Sequence, residues 1–127
     1  MLYVQEARGS VEEVAQRLAA AAASQKFGVL ETHDLREKMN AKGVAFTAAC
    51  LIFEICNPVQ ARKVLEADMS VSTALPCRIS LYEEGGKVKV VTILPTAMLR
   101  LFGKPELEPV ALEVERAIVQ IMDEACR

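Results

Sequence analysis

The sequence predicts an α+β fold, in which a mixed, mainly antiparallel sheet carries helices packed on one face. Three observations predict this class. The pair Gly85-Gly86 separates two apolar runs, as the turn of a β-hairpin does. An amphipathic helical pattern separates the first two predicted strands, and a second long one ends the chain. With 127 residues, the chain has the length of one ordinary domain, so we expect residues 1–127 to form a single compact unit.

The first half of the chain alternates strands and helices. A short strand is predicted over Leu2 to Ala7, followed by a helix over roughly residues 10 to 25. Ser10 and Glu13 have the spacing of a reciprocal N-terminal capping box, and apolar residues follow at intervals of three and four. The next predicted elements are a strand at Phe27 to His33 and a short helix from Leu35 to Lys42.

The most apolar run of the chain, Val44 to Cys56, is predicted to be one strand. It is rich in β-branched and aromatic residues, and Ala48-Ala49 predict a bend in its middle. Asn57-Pro58 ends this strand, because asparagine is a good N-cap and proline suits the first position of a helix. The next predicted elements are a helix to about Ala67 and a helical turn at Met69 to Ala74, capped by Ser70. A hairpin follows, formed by Cys77 to Glu83 and Lys87 to Leu94, with Leu81 opposite Val90. The last two predicted elements are a short helix from Pro95 to Phe102 and a helix from near Pro109 to about Ala125.

Composition favours a soluble protein without nucleic-acid or membrane partners. The formal net charge is only −2, and aromatic residues make up 5% of the chain, too few for a base-stacking platform. No apolar stretch approaches the length that crosses a bilayer, and the N-terminus does not resemble a signal peptide. The four cysteines are scattered along the chain, which is typical of reduced thiols. We therefore expect a cytoplasmic protein.

The candidate site is centred on Cys56 and Cys77, each close to a proline at the edge of a predicted strand. Two such thiols can ligate a soft metal or a haem iron, or cycle between dithiol and disulfide. His33 is the only histidine and is a candidate third metal ligand, with Glu54, water or a second subunit as the fourth. Asn57 and Arg78 adjoin the two cysteines in sequence and complete the predicted ligand-binding set.

A simpler interpretation exists for each of these residues. The interval between Cys56 and Cys77 matches no zinc or thioredoxin motif, and alternation along the strands places them on opposite faces of the sheet. Both then are small buried hydrophobes. His33 is a solvated or capping residue in this interpretation, and Glu54 forms an ion pair with Arg78 or Arg62.

Several short motifs, in the same order, resemble the family called domain of unknown function 302. They are Glu54-Ile55-Cys56-Asn57-Pro58, then Ala61 and Leu65, then Leu75-Pro76-Cys77-Arg78, then Gly85-Gly86-Lys87, with Lys42-Gly43 before them and Pro95 after them. The resemblance covers nearly the whole chain. It implies a compact α+β fold that tends to form dimers, and it implies no established activity or cofactor.

Two functions follow as hypotheses. The first is a small binding module, a homodimer, that holds a metal, a haem or a small ligand near the two cysteines. The alternative is a thiol redox enzyme or sensor that uses Cys56 and Cys77. The exposed part of the last helix and the sheet face with Tyr82 and Lys89 are the candidate dimer surfaces. The sequence identifies no reaction and no cofactor.

Overall fold

The computed structural model describes residues 1–127. Five strands form one sheet in the spatial order β1-β5-β4-β3-β2, and every neighbouring pair is antiparallel. The strands are β1 (Leu2–Ala7), β2 (Gly28–Asp34), β3 (Cys50–Cys56), β4 (Cys77–Glu84) and β5 (Lys87–Ile93). The helices are α1 (Val11–Ser24), α2 (Leu35–Ala41), α3 (Pro58–Ala67), α4 (Pro95–Leu99) and α5 (Glu108–Cys126), with 3-10 turns at Met69–Ala74, Arg100–Phe102 and Pro105–Leu107.

The main core lies between one face of the sheet and the two long helices. The predicted capping box begins α1, since Ser10 Oγ accepts from the Glu13 amide and the Glu13 carboxylate accepts from the Ser10 amide. Buried apolar side chains of α1 and α5 then pack with those of β3, β4 and β5, including Leu18, Ile79 and Ile118. The α+β class and the helices on one face of the sheet are therefore confirmed. The sheet is entirely antiparallel, so the predicted mixture of strand directions is absent.

A second, smaller core lies at one end of the sheet. It joins α3, the 3-10 turn at Met69–Ala74, α4 and the first turns of α5. Its buried residues are Val64, Val71, Leu99, Leu107 and Ala111. This packing holds the segment between β3 and β4 across the end of the sheet, where the site described below is found.

The predicted strand at Val44 to Cys56 is wrong in its first half, because β3 begins only at Cys50. The backbone before it is bonded to the end of α2 instead of to a neighbouring strand. The Val44 amide donates to the Met39 carbonyl, and the Asn40 side chain bonds both backbone groups of Phe46. The N-cap of the 3-10 turn also differs from the prediction: it is Asp68, whose carboxylate accepts from the Ser70 amide.

Neither long helix covers the opposite face of the sheet, which we call the open face. Strand register places one residue of each strand in a row across it, and the row reads Val4, Val91, Ser80, Ile52, His33. The side chains of Leu2, Val4 and Ile93 on this face are 62%, 49% and 50% exposed.

None of the five helices is both long and apolar enough to cross a membrane.

Candidate ligand cavity at the end of the sheet

A small cavity lies where β3 ends and β4 begins. Its volume is about 40 Å³, so it accepts a molecule or group of only a few heavy atoms. Its lining residues come from the strand ends, from α3, from the turn at Met69–Ala74, and from α4 and α5. Thirteen of its eighteen lining residues are hydrophobic. A mainly apolar cavity with a few polar groups has the character of a small-molecule site.

Both candidate cysteines line this cavity as free thiols. Ile55 is paired with Cys77 across the two strands, and Cys56 is the next residue of β3. Alternation along the strands would separate the two side chains, yet both contact the cavity because it lies beyond the strand ends. Burial raises the pKa of Cys77 to about 11 and also raises that of Cys56. Both side chains are therefore protonated near neutral pH.

Besides the two thiols, the cavity wall contains the polar residue Gln60, which lies in the first turn of α3. Asn57 caps this helix, since its Oδ1 accepts from the amides of Val59 and Gln60 at 3.0 and 3.2 Å. The cap directs Val59 outward, where it is 55% exposed, and Gln60 into the cavity wall. Gln60 Oε1 is fully buried and has no hydrogen-bond partner. An unpaired buried acceptor costs roughly 1–3 kcal/mol of folding free energy.

The structure brings together four of the six residues predicted to bind a ligand. Cys56, Asn57, Cys77 and Arg78 all line the cavity, with the Arg78 side chain 63% exposed. The other two predicted residues, His33 and Glu54, do not line it.

His33 and Glu54 instead belong to a polar network on the open face. The His33 Nε2 is 2.6 Å from Glu54 Oε1, and the Lys38 ammonium is 2.6 Å from the other ring nitrogen. Arg78 approaches Glu54 Oε2 at 3.6 Å, so the predicted ion pair between these two residues is present. The hydrogen bond from His33 holds the pKa of Glu54 below its ordinary value. This network explains how a carboxylate is accommodated in an otherwise apolar strand.

The three predicted metal ligands do not form one group. His33 lies opposite Ile52, whereas Cys56 lies opposite Gly28. The two positions are four residues apart along β3, which corresponds to about 13 Å. The protein contains no group of three or more histidine, cysteine or carboxylate side chains placed to hold a metal ion. The metal site of Cys56, Cys77 and His33 is therefore not assembled in this fold.

Sequence reasoning missed most of the cavity wall. Gln60 was overlooked because a polar residue in a short amphipathic helix is usually exposed. Its position four residues before the buried Val64 places it on the same face of α3, which is the one signal that identifies it. Met98 of α4 and Val114 and Ile118 of α5 also line the cavity, and nothing in their local sequence connects them to the cysteines.

The fold and the cavity define an α+β protein with an antiparallel five-stranded sheet and a small, mainly apolar pocket at one end. The model of the family described as "Domain of unknown function DUF302" matches residues 3–125, and the chain belongs to that family. The crystal structure of an uncharacterized conserved DUF302 protein from Bacillus stearothermophilus is similar throughout: the TM-score is 0.94, the sequences are 30% identical, and the match covers 99% of this chain and 98% of the other. No curated protein matches the sequence.

Replacement of Gln60 by methionine should stabilise the ligand-free protein. Methionine has a similar length and lacks the unpaired acceptor, so Gln60→Met should raise the free energy of unfolding by about 1 kcal/mol. Urea denaturation measures the change. Gln16→Met, at an exposed position of α1, is the matched control and should stay within about 0.5 kcal/mol of the wild type. A clear loss of stability in Gln60→Met would contradict the assignment of an unpaired oxygen.

The Cys77 thiol should react slowly with alkylating agents in the folded protein. Its pKa is raised from 9.0 to about 11, and the thiolate is the reactive form. Two pKa units correspond to a roughly 100-fold smaller thiolate fraction at neutral pH than in the unfolded chain. Mass spectrometry after timed iodoacetamide treatment, with and without urea, measures the ratio of the alkylation rates of the unfolded and folded protein. This ratio should shrink as the pH is raised toward 11. Comparable rates in the two states would show that Cys77 is not shielded.

Proposed function

We propose that this protein is a small binding module that holds a small ligand in the cavity at the end of the sheet. The observation that carries the proposal is Gln60 Oε1, which is buried without a partner in a mainly apolar wall. Burial of such a group opposes folding, and a ligand that supplies the missing hydrogen bond removes the penalty. Cys56, Asn57, Cys77 and Arg78 stand beside it in the same wall.

The small volume of the cavity argues against some of the ligands that the sequence suggested. Pockets for drug-sized molecules are typically about 300–1,000 Å³, far larger than the 40 Å³ found here. Haem does not fit such a space. A metal ion would have to displace the protons of two thiols whose pKa values are raised, and His33 lies too far away to assist. A small organic molecule, or one end of a larger one, remains the best-supported ligand.

The alternative of a thiol redox enzyme or sensor receives less support. Reactive redox cysteines have a lowered pKa, whereas the pKa values of Cys56 and Cys77 are raised by burial. We also propose a cytoplasmic location, where the four free cysteines would stay reduced. Loss of two free thiols per chain under mild oxidation, with recovery on reduction, would favour the redox alternative.

Blocking the cavity tests the binding function. Ala61 lines the cavity from α3, so Ala61→Leu should fill much of it. Ethanol is a suitable probe, since its three heavy atoms match the small volume. In NMR titrations of the wild type, amide signals of α3 and of the strand ends should shift and saturate. The shifts should be lost in Ala61→Leu and kept in Ala20→Leu, whose position in α1 is exposed. A wild type without saturable shifts would contradict the binding function.

We further propose that the protein is a homodimer joined through the open face of the sheet, which includes Tyr82 and Lys89. Leu2 and Ile93 are paired neighbours on this face, and Val4 lies beside them. All three are about half exposed or more, and they form a continuous apolar patch. With five strands spaced about 4.8 Å apart, the open face has an area on the order of 500 Å² per subunit. Two such faces together reach the roughly 1,000 Å² that specific interfaces require.

Charge placed in the apolar patch should separate the subunits. Light scattering at micromolar concentration should give the mass of a dimer for the wild type and of a monomer for Val4→Lys, because a lysine within the apolar patch would be buried in the interface without a partner for its charge. Leu101→Lys is the control, since Leu101 is 83% exposed and lies in the turn after α4. A monomeric wild type would contradict the proposal.

A further inference from the structure

We infer that the ligand is a neutral molecule or group of a few heavy atoms that donates one N–H or O–H hydrogen bond to Gln60 Oε1. This inference deepens the proposed binding function and rests on it. Gln60 would then be the residue that determines specificity, and the rest of the wall would supply apolar contact.

The requirement for a donor follows from the polar atoms of the wall. Asn57 Oδ1 already accepts two backbone amides, and Thr92 Oγ1 donates to the Arg78 carbonyl at 2.7 Å. Gln60 Oε1 is the only buried side-chain nitrogen or oxygen in the protein that lacks a partner. A carbonyl-type oxygen accepts hydrogen bonds and cannot donate them. The complementary ligand atom is therefore a donor.

The requirement for neutrality follows from the charges around the cavity. Arg78 is the only charged residue of the wall; its side chain is 63% exposed and lies near Glu54. The two thiols are protonated, so they offer no negative charge to a cation. An ion in this mainly apolar space would lose its hydration without a compensating partner. An uncharged ligand avoids that cost.

The helix that carries the acceptor is held in place before any ligand arrives. The Gln60 backbone lies in the first turn of α3, which is fixed by Pro58 at its start and by the Asn57 cap. Val64, one turn further on, is buried in the smaller core and anchors the same helix face. The oxygen itself has almost no accessible surface in the ligand-free protein, so a small rotation of the Gln60 amide group toward the cavity must accompany binding.

Two probes of equal size test the inference. Ethanol and acetonitrile each have three heavy atoms, and only ethanol donates a hydrogen bond. NMR titration of the wild type should show ethanol binding at least about fivefold more tightly than acetonitrile, because an acceptor left unpaired costs roughly 1 kcal/mol or more. In Gln60→Met the two affinities should become equal. Gln60→Leu, whose shorter side chain leaves more space, should also bind the two probes with equal affinity. That result would exclude the explanation that methionine merely blocks the cavity. Gln16→Met should keep the preference for ethanol.

The outcomes separate the inference from the binding function itself. Saturable binding of both probes in the cavity, with equal affinities in the wild type, would overturn donor recognition and leave the binding module intact. A preference for acetonitrile would also overturn it, since the amide nitrogen would then face the cavity. The absence of saturable binding by either probe would overturn the binding function as well. A crystal structure in which an ordered water stays on Gln60 Oε1 in the presence of ethanol would assign that oxygen to a structural water and overturn the inference.

Discussion

The antiparallel register between β3 and β4 determines where each polar group of the site lies. It pairs Ile55 with Cys77 and Glu54 with Arg78, so the end of one strand and the start of the next meet at the same edge of the sheet. The chain between them must return across that edge, and it does so as α3 and the 3-10 turn. A shift of one residue would transfer Cys77 and Ile79 to the open face. The cavity therefore exists only in this register.

The same register separates two kinds of polar environment. On the open face, Glu54 lies among His33, Lys38 and Arg78, and its charge is compensated by direct contacts. At the strand ends, the thiols are surrounded by apolar side chains and remain neutral because burial raises their pKa values. The two regions share Arg78 as a boundary, since it lines the cavity and also faces Glu54. Because the compensated charges lie on the open face and the thiols of the cavity are neutral, an uncharged ligand suits the cavity.

Local signals in the sequence predicted local structure well and long-range proximity poorly. The Ser10 and Glu13 capping box, the Gly85-Gly86 turn and the Asn57 cap are each formed by neighbouring residues, and all three are present. His33 failed as a partner of Cys56 for a topological reason. Because β2 and β3 are antiparallel, the start of β2 lies beside Cys56 and its end, with His33, lies far away. No pattern within either strand reveals which end will be adjacent.

The contrast between Glu54 and Gln60 shows why a polar residue in apolar surroundings is not by itself a functional signal. Both occur among apolar neighbours, and Glu54 is the more conspicuous of the two in the sequence. Yet Glu54 has partners for its carboxylate, so its presence is fully explained by structure. Gln60 has none for its buried oxygen, although methionine would fill a similar space without that penalty. Native proteins retain few such groups, and the proposed ligand would explain this exception. The unpaired oxygen therefore supports the proposed binding site more strongly than the two cysteines do.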